Sequence, residues 1–238
     1  MMFGLFGEKS ARHAKADRTA EISGAYDGGV TGAKTGIAGG TRVATSMGWR
    51  DVAALQEGDM VLTFDGGLQP VSAVIRRRLW DGRGQCPKAF WPLAVPAGAL
   101  ENAKSMMLLP NQGVMLESDV AEDIYGDPFA LVPAAALDGL RGIERVLPND
   151  PIDVVCLHFE SDQVVFAEHG ALLFCPAGGD LVQRALQGSA QLCPYRMLPE
   201  PCAIALVQET QPREASDRCL EACRASPEGR GHGQMEAA

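Results

Sequence analysis

The stretch GTRVATSMGWRDVAALQEGDMVLTFDGGLQPV, residues 40–71, decides how the rest of the chain is read. Residues 41–45 alternate polar and apolar, as a half-buried strand does. Ser46, Met47 and Gly48 can turn the chain back. Asp51 stands just ahead of Val52, Ala53, Ala54 and Leu55, where its carboxylate can cap a short helical turn. Gly58 and Asp59 lead into a strand over 60–64. Asp65-Gly66-Gly67 is a hairpin turn, because glycine takes positive φ without steric cost. Residues 68–79 then read as one long return strand.

The same grammar continues outward. Residues 90–95, 105–109, 114–116 and 130–132 read as short strands, and 134–140 as a one- or two-turn helix. In a strand over 153–159, Val155, Leu157 and Phe159 share one side. Glu160-Ser161-Asp162 turns this strand into a partner over 163–168, predicting a hairpin. The fold class expected is all-β with a few short helical turns. The 27 glycines and 15 prolines suit many short strands joined by tight turns. No solenoid period is visible.

Composition shifts divide the chain. Residues 1–35 are rich in Gly, Ala, Lys, Asp and Ser and read as a flexible arm; 36–205 carry the apolar density of a β domain. Residues 206–238 read as a flexible tail, with a possible short helix over 215–225. The formal net charge is −9, which argues against a nucleic-acid binder. Arg76, Arg77 and Arg78 read as an anion patch or, more plainly, as an exposed strand end. No apolar run has the length of a membrane span, and the apolar start at Met1 to Phe6 is too short for a signal-peptide core. The expectation is a cytoplasmic protein, with signal-less export left open. It would be a monomer whose partner is an unidentified protein and not a membrane.

The seven cysteines, Cys86, Cys156, Cys175, Cys193, Cys202, Cys219 and Cys223, are odd in number and contain no Cys-x-x-Cys. Neither a disulfide framework nor a zinc site is indicated, and no metal or cofactor is expected. Cys219 and Cys223 would share one helix face, but a metal needs two more ligands and only His232 lies near in sequence.

At this point the residues resemble a known family. The 40–71 stretch is similar to the opening of bacterial Hint (hedgehog/intein) domains: Gly40-Thr41, a strand, a short helix, Gly58-Asp59, a strand, Asp65-Gly66, then Gln69-Pro70-Val71. VPAGAL at 95–100, ALVPAAAL at 130–137 and FESDQVVFAE at 159–168 resemble later phrases of the family, in order and in register over roughly 36–180. The resemblance implies a Hint-type horseshoe of short antiparallel hairpins with internal pseudo-twofold symmetry. It also implies covalent chemistry. The first residue of active relatives is a Cys that attacks the carbonyl before it, a His in a Ser/Thr-Pro-x-His phrase activates that amide, and a His of the last hairpin assists.

This chain departs from the pattern at every catalytic position. The nucleophile's place falls on Gly36, which has no side chain. The activating His falls on Gln112, within Leu109-Pro110-Asn111-Gln112, and Gln112 cannot carry a proton. The two last-hairpin histidines fall on Cys156 and Asp162. Thr35 and Thr41 flank the lost nucleophile, but their hydroxyls are weak without a positioned base. His158 and His169 read either as proton shuttles or as ordinary hydrogen-bonded histidines. Cys156, which shares a strand face with His158, reads either as a thiol site or as a buried apolar filler. Two functions stay open: a non-catalytic structural or binding module, and an autoprocessing domain with an unusual nucleophile. In either case limited proteolysis is expected to trim both ends to a resistant core near 36–205. First cuts within 60–170 would overturn the domain assignment.

Overall fold

The computed structural model describes residues 35–80, 84–178 and 195–210. Of the arm expected at 1–35 and the tail expected at 206–238, residues 1–34 and 211–238 lie outside the described residues, as do the possible 215–225 helix and Cys193, Cys219, Cys223 and His232. Within them the protein is two antiparallel sheets with a few helical turns. This is the all-β class expected.

The first strands form where the turn chemistry requires. β1 (Ile37–Ala38) is followed by β2 (Arg42–Thr45) and β3 (Gly48–Asp51), a tight hairpin. At its turn Thr45 Oγ1 donates to the Gly48 carbonyl (2.6 Å) and accepts from the Met47 amide (3.1 Å). Asp51 caps the 3-10 turn Val52–Ala54, its Oδ1 accepting from the Ala53 amide at 2.8 Å. β4 (Met60–Thr63) pairs with β5 (Gly67–Pro70) across Asp65-Gly66-Gly67, with Gly67 at φ +63°.

The single return strand expected over 68–79 is instead two. β5 ends at Pro70, which has no amide to continue a ladder, and β6 (Ala73–Trp80) belongs to the other sheet. Between them Val71 is buried, its amide donating to the Asp59 carbonyl (2.9 Å), and the Ser72 amide donates to the His158 carbonyl (2.8 Å). The chain crosses between layers here.

Further on come β7 (Leu93–Val95), β8 (Met106–Leu108), β9 (Gly113–Glu117), helix α1 (Asp119–Tyr125) and β10 (Phe129–Pro133). The strand expected from residue 90 starts at Leu93, because Lys88–Phe90 is a 3-10 turn and Pro92 supplies no amide. α1 has Ser118 as its N-cap and Gly126 at φ +74° after its last turn, a start and stop signal that the strand alternation around it conceals. The helix expected over 134–140 is two 3-10 turns, Ala134–Leu137 and Leu140–Gly142, separated by Gly139 at φ +92°.

β11 (Glu144–Arg145), β12 (Ile152–His158), β13 (Gln163–Ala167) and β14 (Ala171–Cys175) complete the sheets. The hairpin expected between 155–159 and 164–167 does not form. β12 pairs with β1 and β6 in one sheet, and β13 pairs with β14, β2 and β4 in the other. Phe159, only 1% exposed, plugs the core between the layers, so the segment after it crosses over and makes no ladder with β12. The last hairpin is β13–β14, turning through Glu168 (φ +42°) and His169 (φ +74°). Buried Glu168 fastens that turn to β2, its Oε1 accepting from the Arg42 amide at 2.6 Å and its Oε2 meeting the Arg42 guanidinium at 3.5 Å.

The sheet orders are β11-β7-β8-β1-β12-β6 and β10-β9-β14-β13-β2-β4-β5, with β3 alongside β2. The core runs through Leu55, Leu93, Leu108, Leu137, Ile143, Leu157, Phe159 and Leu173. Helix α2 (Glu200–Thr210) lies against it through Ala203, Leu206 and Val207. Helix α2 itself extends past residue 205, the boundary expected for the domain. Thr210 Oγ1 also meets the Ser118 cap of α1 at 3.1 Å.

Gly170 tests the β13–β14 turn. A Cβ added there would stand 2.2 Å from the Glu101 carbonyl oxygen, a backbone atom that cannot swing aside. Gly170→Ala is expected to cost about 3 kcal/mol by chemical denaturation, and a neutral result would mean the turn is free to shift.

Candidate functional site

Four positions were singled out in the sequence: Gly36, Gln112, Cys156 and Asp162. Three of them meet. Gly36 directly precedes β1, whose register against β12 is Ile37↔Val155 and Ala38↔Val154, so Cys156 comes up beside it. Gln112 sits in the turn between β8 and β9, its backbone amide donating to the Leu109 carbonyl at 2.9 Å. That turn is 76 residues from Gly36 along the chain.

The Gln112 side chain is buried at 2% exposure and bonded at both ends. Its Oε1 accepts from the Gly36 amide at 3.0 Å. Its Nε2 donates to the Gly113 carbonyl at 3.0 Å and the Phe174 carbonyl at 2.8 Å. A flipped amide would set its oxygen against two carbonyls and its NH2 against an N–H, so the donor pattern fixes the orientation. Gly36 itself is at φ +119°, and an added Cβ would stand 2.5 Å from Val154 Cγ1 and 2.9 Å from Cys156 Sγ. The position of the missing side chain is therefore filled from across the sheet.

Cys156 Sγ donates to the Thr35 carbonyl at 3.7 Å. Burial pushes its thiol up, and the Arg77 guanidinium on neighbouring β6 pulls in the other direction. Behind it lies Cys175, fully buried, whose thiol is pushed up to about 12 by burial and secondarily by Cys156. The Arg76–Arg78 run lies on β6 with Arg76 and Arg78 exposed: Arg76 donates to the Ala53 and Leu55 carbonyls, Arg78 pairs with Asp153, and the charge of Arg77 acts on the Cys156 thiol.

Asp162 stands to one side of this cluster. Its Oδ1 accepts from the Ala177 amide at 2.7 Å, three residues beyond the Phe174 that Gln112 bonds. His158 Nδ1 meets the Pro176 carbonyl at 3.3 Å, and the Gly178 amide donates to the Phe159 carbonyl at 3.0 Å. Asp162 and His158 therefore hold the chain leaving β14. His169 stacks on Trp49 with ring centroids 4.1 Å apart. Thr41 is buried in the bend between β1 and β2, its amide donating to the Ala38 carbonyl at 3.2 Å. Thr35 has an exposed side chain and contributes its carbonyl.

Sequence reasoning missed Arg77 and the Phe174 carbonyl. Strand pairing of β6 with β12, and of β14 with β9, brings them in, and no local motif announces either. Among the described residues, no three His, Cys, Asp or Glu side chains are grouped to hold a metal ion. No helix among them is long and apolar enough to cross a membrane.

A family model described as the Hint domain matches residues 35–172. Among solved structures, the chain is similar to the bacterial intein-like domain from Clostridium thermocellum at 13% identity, covering 59% of this chain and 98% of that one, with a TM-score of 0.42. It is also similar to the gp41-1 intein, at 13% identity over 59% and 98% with a TM-score of 0.37. For the MchDnaB-1 intein the values are 13%, 57% and 98%, and 0.34. No curated protein sequence matches the chain.

Two outcomes follow from the cluster. Gln112→Ala strands the Gly36 amide and two carbonyls, and is expected to cost about 2–4 kcal/mol in denaturation and to speed exchange of the Gly36 amide. Cys175 is neutral in the folded state up to about 12, against 9.0 for an ordinary thiol. Above pH 9 the unfolded chain binds fewer protons than the folded one, so this contribution to stability is full below pH 9 and lost toward pH 12. Cys175→Ser should flatten that alkaline decline in a series of melts.

Proposed function

Because the chain belongs to the Hint domain family, we propose that it is a Hint domain that does not cleave itself and serves as a structural or binding module. The observation behind this lies at the Gly36 nitrogen. Breaking the Thr35–Gly36 bond requires a proton on that nitrogen as it leaves. The side chain in contact with it is Gln112, through an oxygen that accepts and cannot donate. The amide's donor end is spent on two carbonyls. At Gly36 there is neither a nucleophile nor room for one.

In such a module the former reaction centre becomes a tie between strands, and recognition passes to its surface. A partner protein suits the formal net charge of −9 better than a nucleic acid does. The test is the intact mass of the full-length protein carrying a reporter ahead of residue 1, followed for days at neutral pH with added thiol or hydroxylamine. The mass should stay constant. Release of a fragment ending at Thr35 would overturn the reading.

A further inference from the structure

We propose that the cavity between the β4–β5 turn, the end of α1 and residues 195–198 binds an organic ammonium, a positively charged nitrogen carried on alkyl groups. The cavity measures about 400 Å³, within the range of small-ligand sites. Among the described residues, four aromatic side chains line it: Phe64, Tyr125, Phe129 and Tyr195. Phe64 and Phe129 meet edge to face, with ring centroids 4.9 Å apart and planes at 67°. Tyr195 packs on Phe174 in the same manner, at 6.0 Å and 68°. The Leu198 amide donates to the Leu131 carbonyl at 2.8 Å, which fixes the 195–198 segment against β10. Tyr125 is 49% exposed and stacks on no other ring among the described residues. An open aromatic face attracts a cation through its quadrupole, and the alkyl groups of an ammonium pack on the same rings.

Charge selects among the ligands that would fit. Asp65 and Asp127 both line the cavity, and each spends one carboxylate oxygen locally. Asp65 accepts from the Tyr195 hydroxyl, and Asp127 accepts from the Phe129 amide at 2.9 Å. The second oxygen of each makes no hydrogen bond among the described residues. Burial and the bond to Asp65 push the Tyr195 hydroxyl well above its ordinary range, so it stays a neutral donor. Arg196 brings the one positive charge of the described lining, set against two carboxylates in a chain of formal net charge −9. An anion would face both carboxylates. A neutral apolar guest would strip water from them and replace it with nothing. A metal ion needs several oxygen ligands, and no three His, Cys, Asp or Glu side chains are grouped among the described residues. An alkylammonium answers the carboxylates and the rings together. Gly36, Gln112 and Cys156 do not line this cavity, so its occupancy is separate from the fate of the Thr35–Gly36 bond.

Three probes of one shape supply the test: choline, the uncharged alcohol in which carbon replaces its nitrogen, and the matching tert-butylacetate anion. Each is titrated into the full-length protein and followed by calorimetry and by amide chemical shifts. Choline is expected to bind about tenfold more tightly than the alcohol, with shifts at Phe64 and Phe129, and the anion to bind more weakly than either. Asp127→Asn removes the charge and keeps an acceptor for the Phe129 amide. It and Tyr125→Leu should each weaken choline binding about fivefold, whereas Arg196→Gln should tighten it. All three positions are exposed, and the melts of the variants should match that of the wild type. Equal binding of choline and the alcohol would reduce the cavity to an apolar void, and preference for the anion would make it an Arg196 site. Either result overturns the proposal, as does the absence of choline binding at tens of millimolar. A peptide carrying a trimethylated lysine separates the sources of the ammonium: tighter binding than choline assigns it to a protein partner, weaker binding to a small molecule. None of these results bears on the non-cleaving reading, which the intact mass decides.

Discussion

The hydrogen bonds of one buried amide connect the two layers of this domain. Gln112 accepts from Gly36, just ahead of β1 in the six-stranded sheet, and donates to Gly113 and Phe174 in the eight-stranded one. A buried polar side chain is costly unless every donor and acceptor is met. Here all three bonds are made, and each goes to backbone. The short strand β1 is held in place by this amide and by its pairing with β12 and β8. A charged or titrating group at 112 could serve the same contacts in one protonation state only, whereas glutamine serves them at any pH.

The same two-layer constraint shapes the crossovers. One passage leaves the eight-stranded sheet at Val71-Ser72, and another re-enters it after Phe159. These crossings touch, the Ser72 amide bonding the His158 carbonyl at 2.8 Å and the Phe64 amide the Val164 carbonyl at 2.8 Å. Phe159 and Val71 fill the space between. Sheet-to-sheet passages expose backbone that no ladder satisfies, and pairing one passage with the other meets that need.

What could be read from the sequence was what local chemistry decides. Asp65-Gly66-Gly67 makes its hairpin because the turn demands those residues, and Asp51 caps the turn it precedes because its carboxylate lies within reach of the Ala53 amide. The passage after Phe159 was misread because alternation over 153–159 and 163–168 looks the same whether the strands pair with each other or with distant partners. The long strand over 68–79 failed for the same reason, although Pro70 carried the warning. At the site, the sequence tells that Gly36 and Gln112 cannot perform the family's chemistry. Only the β1–β12 register tells that a thiol from residue 156 stands in the vacated space. Asp162 was placed by alignment alone, and its carboxylate serves the chain leaving β14 instead.

The chain entering β1 and the chain leaving β14 are both fastened to β12 and the residue after it. The incoming chain is held at Thr35 by Cys156, and the outgoing chain at Pro176 and Gly178 by His158 and Phe159. Cys156 and His158 are two residues apart on one strand face, about 7 Å. A tension applied between the chain entering β1 and the chain leaving β14 is therefore taken up across a few residues of a single strand. The rest of the two sheets lies outside that line of force, while helix α2, further along the chain, meets a pull from the C-terminal side first.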